Sequence, residues 1–394
     1  MKQIITFAKD NKIEYIITEE GRPLCRGTYF TDAANVGDII EGRVTDLKPD
    51  IDGCFVDIDA ERTAFLNMQK LNLRKGNYYG FYIHGKPSGS KGAFLSAKLP
   101  FTGIYNAIVL IPENSCKASD TKNNEDTLRH EVKISRKIVD EQIRAELTAA
   151  ASECIKGRYT EGRNREGRFP EGCRVLVTVR TAAAENKKAA ADELAALVEA
   201  VGSISAPSGS NRPGRLLYKR SFPEFLTELY PYRDYESVSA NDPAVGRELY
   251  EYYKKRDIDV AVKLLPADVN PCETDSAARK VLCFSGRVMR LPHGGTVIYD
   301  RTEAMHVFDV NSGGSKLSYT DVNLEACESI AAHIKVNNLT GIIIVDFISV
   351  KSPADRDAIL SRMRGLLEDD YALTIIEGFT RLQLLEISRS RKLI

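Results

Sequence analysis

The chain has 394 residues, 43% of them hydrophobic and 28% charged, with 55 Lys+Arg balanced by 55 Asp+Glu. That is a normal soluble globular balance with room for roughly two to four domains. The eight cysteines show no CxxC spacing, the first residues lack a signal-peptide core, and no apolar run reaches membrane-spanning length. A reduced, soluble, cytoplasmic protein without a membrane span is therefore expected.

Residues 1–36 read as short β structure, with Ile4–Phe7 and Ile13–Thr18 split by a hairpin signal at Lys9-Asp10-Asn11. These strands are too few to fold alone and are expected to pair with something later in the chain. Residues 37–110 hold five short runs of strand character with turns at Pro49-Asp50, Asp52-Gly53 and Pro87–Gly89. Closely spaced short strands of this kind suit a small OB-type barrel.

From 111 the character changes. Glu113–Glu131 is polar and reads as a loop, Val139–Ile155 as a helix, and Lys156–Arg168 as a Gly/Arg-rich loop. A strand follows at Arg174–Arg180, then an alanine-rich helix at Asn186–Val201, then a Ser/Gly/Pro-rich linker at Ser203–Pro213. Between 214 and 280 only a helix at Arg247–Lys255 and a strand at Val260–Leu265 stand out.

Residues 281–394 are the most legible. Thr296–Asp300 and Ala304–Val310 predict a hairpin, Asn323–Val336 an amphipathic helix, and Gly341–Phe347 (GIIIVDF) a buried strand. Ser352-Pro353 opens a helix as N-cap and first-turn proline, and that helix is expected to bury Ile359, Met363 and Leu366. Ile375–Ile376 begins a last strand, and a basic helix with Arg389, Arg391 and Lys392 is expected at the end.

Two strand ends carry the candidate chemistry. In VFDVN, Asp309 and Asn311 are two residues apart and project from one face, next to Ser312-Gly313-Gly314. In GIIIVDF, Asp346 follows four aliphatic residues, where an unpaired buried carboxylate is costly and must meet a cation, a donor or water. If the strands are neighbours, Asp309 and Asp346 converge on a magnesium ion, which is typically held by one or two carboxylates plus water and phosphate oxygens. The alternative is that one aspartate caps a helix or pairs with an arginine.

These residues resemble the RNase E/G family of bacterial endoribonucleases. The resemblance runs through LPHGGTVIYDRTEAMHVFDVNSGG, NLEACESIAAHIKVNNLTGIIIVDFI and GFTRLQLLEISRSRK. It implies that Asp309 and Asp346 bind catalytic Mg2+, that Asn311 assists, and that Glu303 supports the site. GDIIEGRVTDLKPDIDGCFVDIDAERTAFL is similar to the family's S1-type RNA-binding domain, with Phe55 and Phe65 at its base-stacking positions. VTVRTAAA resembles the 5′-end sensor, with Arg180 and Thr181 on a 5′-monophosphate and Ser135-Arg136-Lys137 alongside.

The implied fold is an α+β multidomain chain. Residues 1–36 and 209–280 form a split RNase H-like domain, 37–110 the inserted S1-type OB barrel, 111–208 the 5′-sensor-like region, and 281–394 a DNase I-like α/β catalytic domain. Many relatives continue into a cysteine pair that shares zinc between subunits. No such pair occurs here, so zinc is not predicted and any homodimer is expected to form without it. Two further departures bear on substrate preference: an insertion around Glu113–His130 together with Leu373 in place of a basic residue, and a short loop after FDVNSGG.

The expected function is a magnesium-dependent endoribonuclease that cleaves single-stranded RNA in RNA processing or mRNA decay. The alternatives are a catalytically inactive RNA-binding protein on the same scaffold, and a scaffold whose basic end docks RNA-decay proteins.

Overall fold

The computed structural model describes residues 2–59, 62–68, 71–85, 92–112, 130–156, 173–205, 207, 213–284, 286–349, 352–368 and 370–390. The chain divides into two compact units, one of residues 1–31, 234–250 and 260–393, the other of residues 32–233 and 251–259.

The first unit contains two sheets. Lys2–Lys9 and Lys12–Glu19 form a hairpin whose two turn residues, Asp10 and Asn11, have φ of 50° and 58°. Positive φ at both central positions is what a tight hairpin of the right twist requires, and Asn and Asp tolerate it. Arg22–Phe30 adds a third strand. The open edge of Lys2–Lys9 takes Tyr235–Ala240 in parallel, and Ala261–Leu264 follows on the outside. The amino-terminal strands thus find their missing partner far along the chain.

The second sheet has six strands in the order Val288–Arg290, Thr296–Arg301, Met305–Asn311, Gly341–Asp346, Leu384–Ser390 and Leu373–Phe379. Met305–Asn311 and Gly341–Asp346 are parallel, so a crossover must join them. The helix Tyr319–Val336 supplies it. Ser318 starts that helix by accepting from the Asp321 N–H, and Val322, Ala326, Ile330 and Ile334 are buried at helical spacing. The helix Pro353–Leu367 begins the same way, with Ser352 accepting from the Asp355 N–H. It buries Ile359, Met363 and Leu367, steps of four residues, while Leu366 is half-buried.

The end of the chain differs from the sequence expectation. Leu384–Ser390 is a strand between Gly341–Asp346 and Leu373–Phe379, not a basic helix. Arg389 is 1% exposed, and its Nε and Nη2 donate to the two oxygens of Asp370, at 2.6 and 2.9 Å. Arg391 and Lys392 lie outside the described residues.

The second unit contains a closed barrel of Ile39–Lys48, Gly53–Asp57, Thr63–Asn67, Phe94–Ser96 and Tyr78–Gly85, the first and last of these pairing with each other. Val44, Val56, Ala64, Leu66, Phe81 and Leu95 fill it. Leu99–Thr102 and Asn106–Pro112 leave the barrel and join Cys173–Val179 and His130–Ile134 in a four-stranded sheet. The barrel's own strands thus end before the boundary at 110 read from the sequence. The helices Glu141–Lys156 and Lys187–Gly202 accompany this sheet, the second capped by the Asn186 side chain. The expected loops at 113–129 and 157–168 lie outside the described residues, as does most of the expected linker. Among the described residues no helix is long and apolar enough to cross a membrane.

The overall class is therefore mixed α/β, with an OB-like barrel and several separate sheets. Burial raises the Cys54 thiol to about 11 and the Cys327 thiol to about 12, which makes both inert apolar filling. Cys283, by contrast, is exposed.

Candidate active site

Alternation along Met305–Asn311 sends His306, Phe308 and Val310 inward and leaves Asp309 and Asn311 on the exposed face. Along Gly341–Asp346 it buries Ile343 and Val345 and exposes Asp346. The parallel register places Asp309 directly beside Asp346. Neighbouring strands lie about 4.8 Å apart, so two carboxylates at matched positions share one patch of space. The Asn311 side-chain amide donates to Asp309 Oδ2 at 2.8 Å, which turns that carboxylate to a fixed orientation.

Neither aspartate has an ion pair among the described residues, and neither caps a helix. Burial, and then the charge of Asp309, pushes the Asp346 carboxyl above the usual carboxylate range. Two adjacent carboxylates without a cation repel each other, the electrostatic condition that a bound cation relieves.

The donor set suits a hard divalent ion. It consists of oxygen ligands, and two carboxylates leave most of an octahedral shell to water and phosphate, the manner in which magnesium is bound. No group of three or more His, Cys, Asp or Glu residues that could hold a metal occurs among the described residues, so no protein-only cage competes with this arrangement.

Asn323 is a positioning residue that the sequence reading passed over. It is 1% exposed, its side-chain amide donates to the Ile348 carbonyl at 2.8 Å, and its side-chain oxygen accepts from the Ile348 N–H at 3.0 Å. This two-way clamp fixes the turn immediately after Asp346. The only signal in the sequence was a polar residue on the helix face that is otherwise apolar. Glu303, in contrast, sits in the turn before Met305–Asn311. The strand runs from Met305 to Asn311 with Asp309 near its far end, so Glu303 sits at the strand end away from Asp309.

In the second unit, Phe55 and Phe65 are cross-strand partners with ring centroids 5.9 Å apart and planes at 70°. Phe55 is 36% exposed and Phe65 half-buried, while their neighbours Cys54, Val56, Ala64 and Leu66 fill the interior. Both rings therefore stand on the outside of the barrel.

Arg180 and Thr181 follow the strand Cys173–Val179. Because His130–Ile134 runs parallel to it with Ile134 opposite Val179, both strands deliver their next residues to the same place. The hydroxyls of Ser135 and Thr181 are 2.8 Å apart there. The Arg180 backbone N–H bonds the Tyr105 carbonyl at 2.8 Å. Behind it, buried Glu193 accepts from the N–H groups of Ile104, Tyr105 and Asn106 at 2.8–2.9 Å and from Arg256 Nε at 3.0 Å. Burial holds the Arg180 guanidinium below its usual pKa against the opposing charges of Glu193 and Glu228. Among the described residues that guanidinium makes no hydrogen bond or ion pair.

An OB-like barrel and a separate sheet with paired carboxylates at its strand ends are consistent with the multidomain fold that the sequence resemblance implied. Comparison with known proteins agrees. The model of the Ribonuclease E/G family matches residues 126–392, and the chain belongs to that family. It is 25% identical to Ribonuclease E of Escherichia coli (strain K12) over 390 residues, covering 90% of this chain and 33% of that protein. It is 25% identical to Ribonuclease G of Haemophilus influenzae, covering 90% and 72% respectively. It is 27% identical to Ribonuclease E of Nostoc sp., covering 99% and 56%. The chain thus spans about a third of the length of several of the Ribonuclease E relatives it matches.

Proposed function

We propose that this chain is a magnesium-dependent endoribonuclease that cleaves single-stranded RNA, in RNA processing or mRNA decay. The observation that carries the reading is the side-by-side register of Asp309 and Asp346, two exposed carboxylates without a cationic partner among the described residues. Family membership supplies the substrate class, since the relatives are named ribonucleases.

On this reading the six-stranded sheet and its helices form the DNase I-like catalytic part, and the five-stranded sheet the split RNase H-like part. The barrel is the S1-type RNA-binding domain, and the four-stranded sheet with its two helices the 5′-sensor region. Magnesium bound at the carboxylates would polarise the scissile phosphate and lower the pKa of a bound water. Asp309 and Asp346 would hold the ion. Asn311 holds the Asp309 carboxylate in one orientation, and Asn323 fixes the turn that follows Asp346. Flexible single strands suit the site because their phosphates can reach it and their unstacked bases can meet Phe55 and Phe65.

The test is cleavage of a short fluorescent single-stranded RNA with a 5′-monophosphate, in magnesium and in EDTA. Cutting in magnesium that stops in EDTA is expected. Binding without cutting, on several RNAs and at every magnesium concentration, sinks the nuclease reading in favour of a binding protein on the same scaffold. The same assay addresses Arg180 and Thr181 as 5′-phosphate ligands. Arg180→Ala is expected to erase about tenfold or more of the preference for 5′-monophosphate over 5′-hydroxyl RNA, since a charge-assisted hydrogen bond contributes roughly 1.5–3 kcal/mol. Cutting of the 5′-hydroxyl RNA should be unchanged. An equal loss on both RNAs would assign Arg180 a purely structural role.

A further inference from the structure

The outer face of the barrel carries a third ring. Phe94 lies beside Phe65 through the parallel pairing of Phe94–Ser96 with Thr63–Asn67, while Phe55 lies on the other side of Phe65. The Phe65 and Phe94 centroids are 6.5 Å apart with planes at 81°, nearly repeating the geometry between Phe55 and Phe65. Phe94 is 41% exposed. Its successor Leu95 is buried in the barrel with Cys54, Val56, Ala64 and Leu66, so none of the three rings is needed to fill the interior.

Gly53 fixes the middle of the row. A Cβ there would stand 2.5 Å from Phe65 Cζ, so the ring lies down on the glycine backbone, below its two neighbours. Across three strands at about 4.8 Å spacing the row extends roughly 10 Å, more than a single base requires. Rings in steeply tilted, edge-to-face contact present separate exposed faces rather than one flat apolar patch. Each face can stack one planar base, whereas a protein helix or strand needs a continuous apolar face. Asp46, opposite Phe55 at the end of the row, is paired with Lys48 at 2.8 Å and with Lys75 at 3.9 Å, which neutralises its charge there.

We propose that Phe94 is a base-stacking residue, and that Phe55, Phe65 and Phe94 form a three-ring platform, seated on Gly53, for a run of unpaired RNA bases. The proposal rests on the reading of the chain as a protein of single-stranded RNA. Phe94 adds a contact that the two-ring reading lacks and lengthens the segment of RNA that is held.

The test is fluorescence anisotropy of a 5′-fluorescein oligo(U) of about twelve nucleotides, in EDTA, with the full chain and its Phe94→Leu, Phe55→Leu and Gly53→Ala variants. Phe94→Leu is expected to weaken binding about 5- to 100-fold, the range for losing one stacked base, with an unchanged melting temperature because the ring lies outside the core. Gly53→Ala should weaken binding by displacing Phe65. Normal affinity for Phe94→Leu alongside weak binding by Phe55→Leu overturns the proposal by restricting the platform to two rings. Normal affinity for every variant, with magnesium-dependent cutting intact, also overturns it while leaving the nuclease reading standing. Weakened Phe94→Leu binding in a protein that never cuts supports the platform and removes only the nuclease reading.

Discussion

Asp346→Asn is expected to lower magnesium-dependent cleavage about a thousandfold or more while leaving RNA affinity in EDTA unchanged. A metal bound at a scissile phosphate contributes several kcal/mol of charge stabilisation, and each 1.36 kcal/mol is a factor of ten in rate. Asparagine keeps the shape of the side chain but takes away one of the two charges that would hold the ion. Asp309→Asn should act the same way, and it also removes the acceptor charge that the Asn311 amide orients. If both variants cut at the wild-type rate in purified form, the site lies elsewhere.

The same pair makes a second, opposite statement about stability. Like charges side by side on neighbouring strands are destabilising, by roughly 0.2–1 kcal/mol before solvent screening reduces it. The Asp346 carboxyl is raised in the folded chain by burial and by Asp309. The folded state therefore holds that proton to a higher pH than the unfolded state does, so the metal-free protein loses stability as pH rises through the carboxylate range. Asp309→Asn should leave the metal-free protein as stable as wild type at neutral pH, or slightly more so, and should abolish any rise in melting temperature on adding magnesium. Thermal melts with and without magnesium, repeated across the carboxylate pH range, check both.

The second large effect concerns Asp370 and Arg389. Their side chains are 1% and 0% exposed, and the arginine also bonds the Asn338 side chain at 2.9 Å and the Leu339 carbonyl at 2.7 Å. Removing one partner strands the other charge in the interior, which costs about 3–5 kcal/mol. Asp370→Asn and Arg389→Met should each lower the melting temperature by about 6–20 °C, at roughly 2–4 °C per kcal/mol for a unit of this size. The paired replacement Asp370→Leu with Arg389→Met should cost less than the two single changes together. Burial alone would raise the Asp370 carboxyl, but the bonds and charge of Arg389 outweigh it and hold it low. That stabilisation is complete above the ordinary carboxylate range and is lost as pH falls through the lower folded value. A single variant that melts within a degree of wild type would contradict this account of the pair.

How much of this could be read from the residues depends on how local the cause is. The Asp10-Asn11 turn, the Ser352-Pro353 cap and the GIIIVDF strand were legible because each rests on residues within a few positions of one another. The placement of Asp309 and Asn311 on one face followed from period two alone. Their register with Asp346 needed the fold.

The end of the chain was misread for a related reason. Leu384–Ser390 alternates buried and exposed as a strand should, but Arg389 occupies an inward position. An arginine there reads as surface until Asp370, 19 residues earlier, is seen to neutralise it. Phe94 was passed over because its strand has only three residues and pairs in parallel with one some thirty positions away. Asn323 was passed over because its partner is the backbone of Ile348 and no pattern in the sequence marks that.

The five-stranded sheet has a consequence for how the chain folds. Thr6 bonds the carbonyl of Ser239, 233 residues further on. At roughly 5–20 residues per second of synthesis, the amino-terminal hairpin waits on the order of 10–50 s for the strand that covers its open edge. Throughout that interval an apolar strand offers unpaired backbone groups to any other extended chain. Closing so long a loop adds little to the equilibrium cost but much to the time required. The units between can fold first and bring the two segments near each other, so conditions that slow them should trap the nascent chain as a sticky intermediate. Aggregation during expression is then set by the kinetics of this one late pairing, and a chaperone that masks the edge should raise the yield without changing the stability of the finished protein.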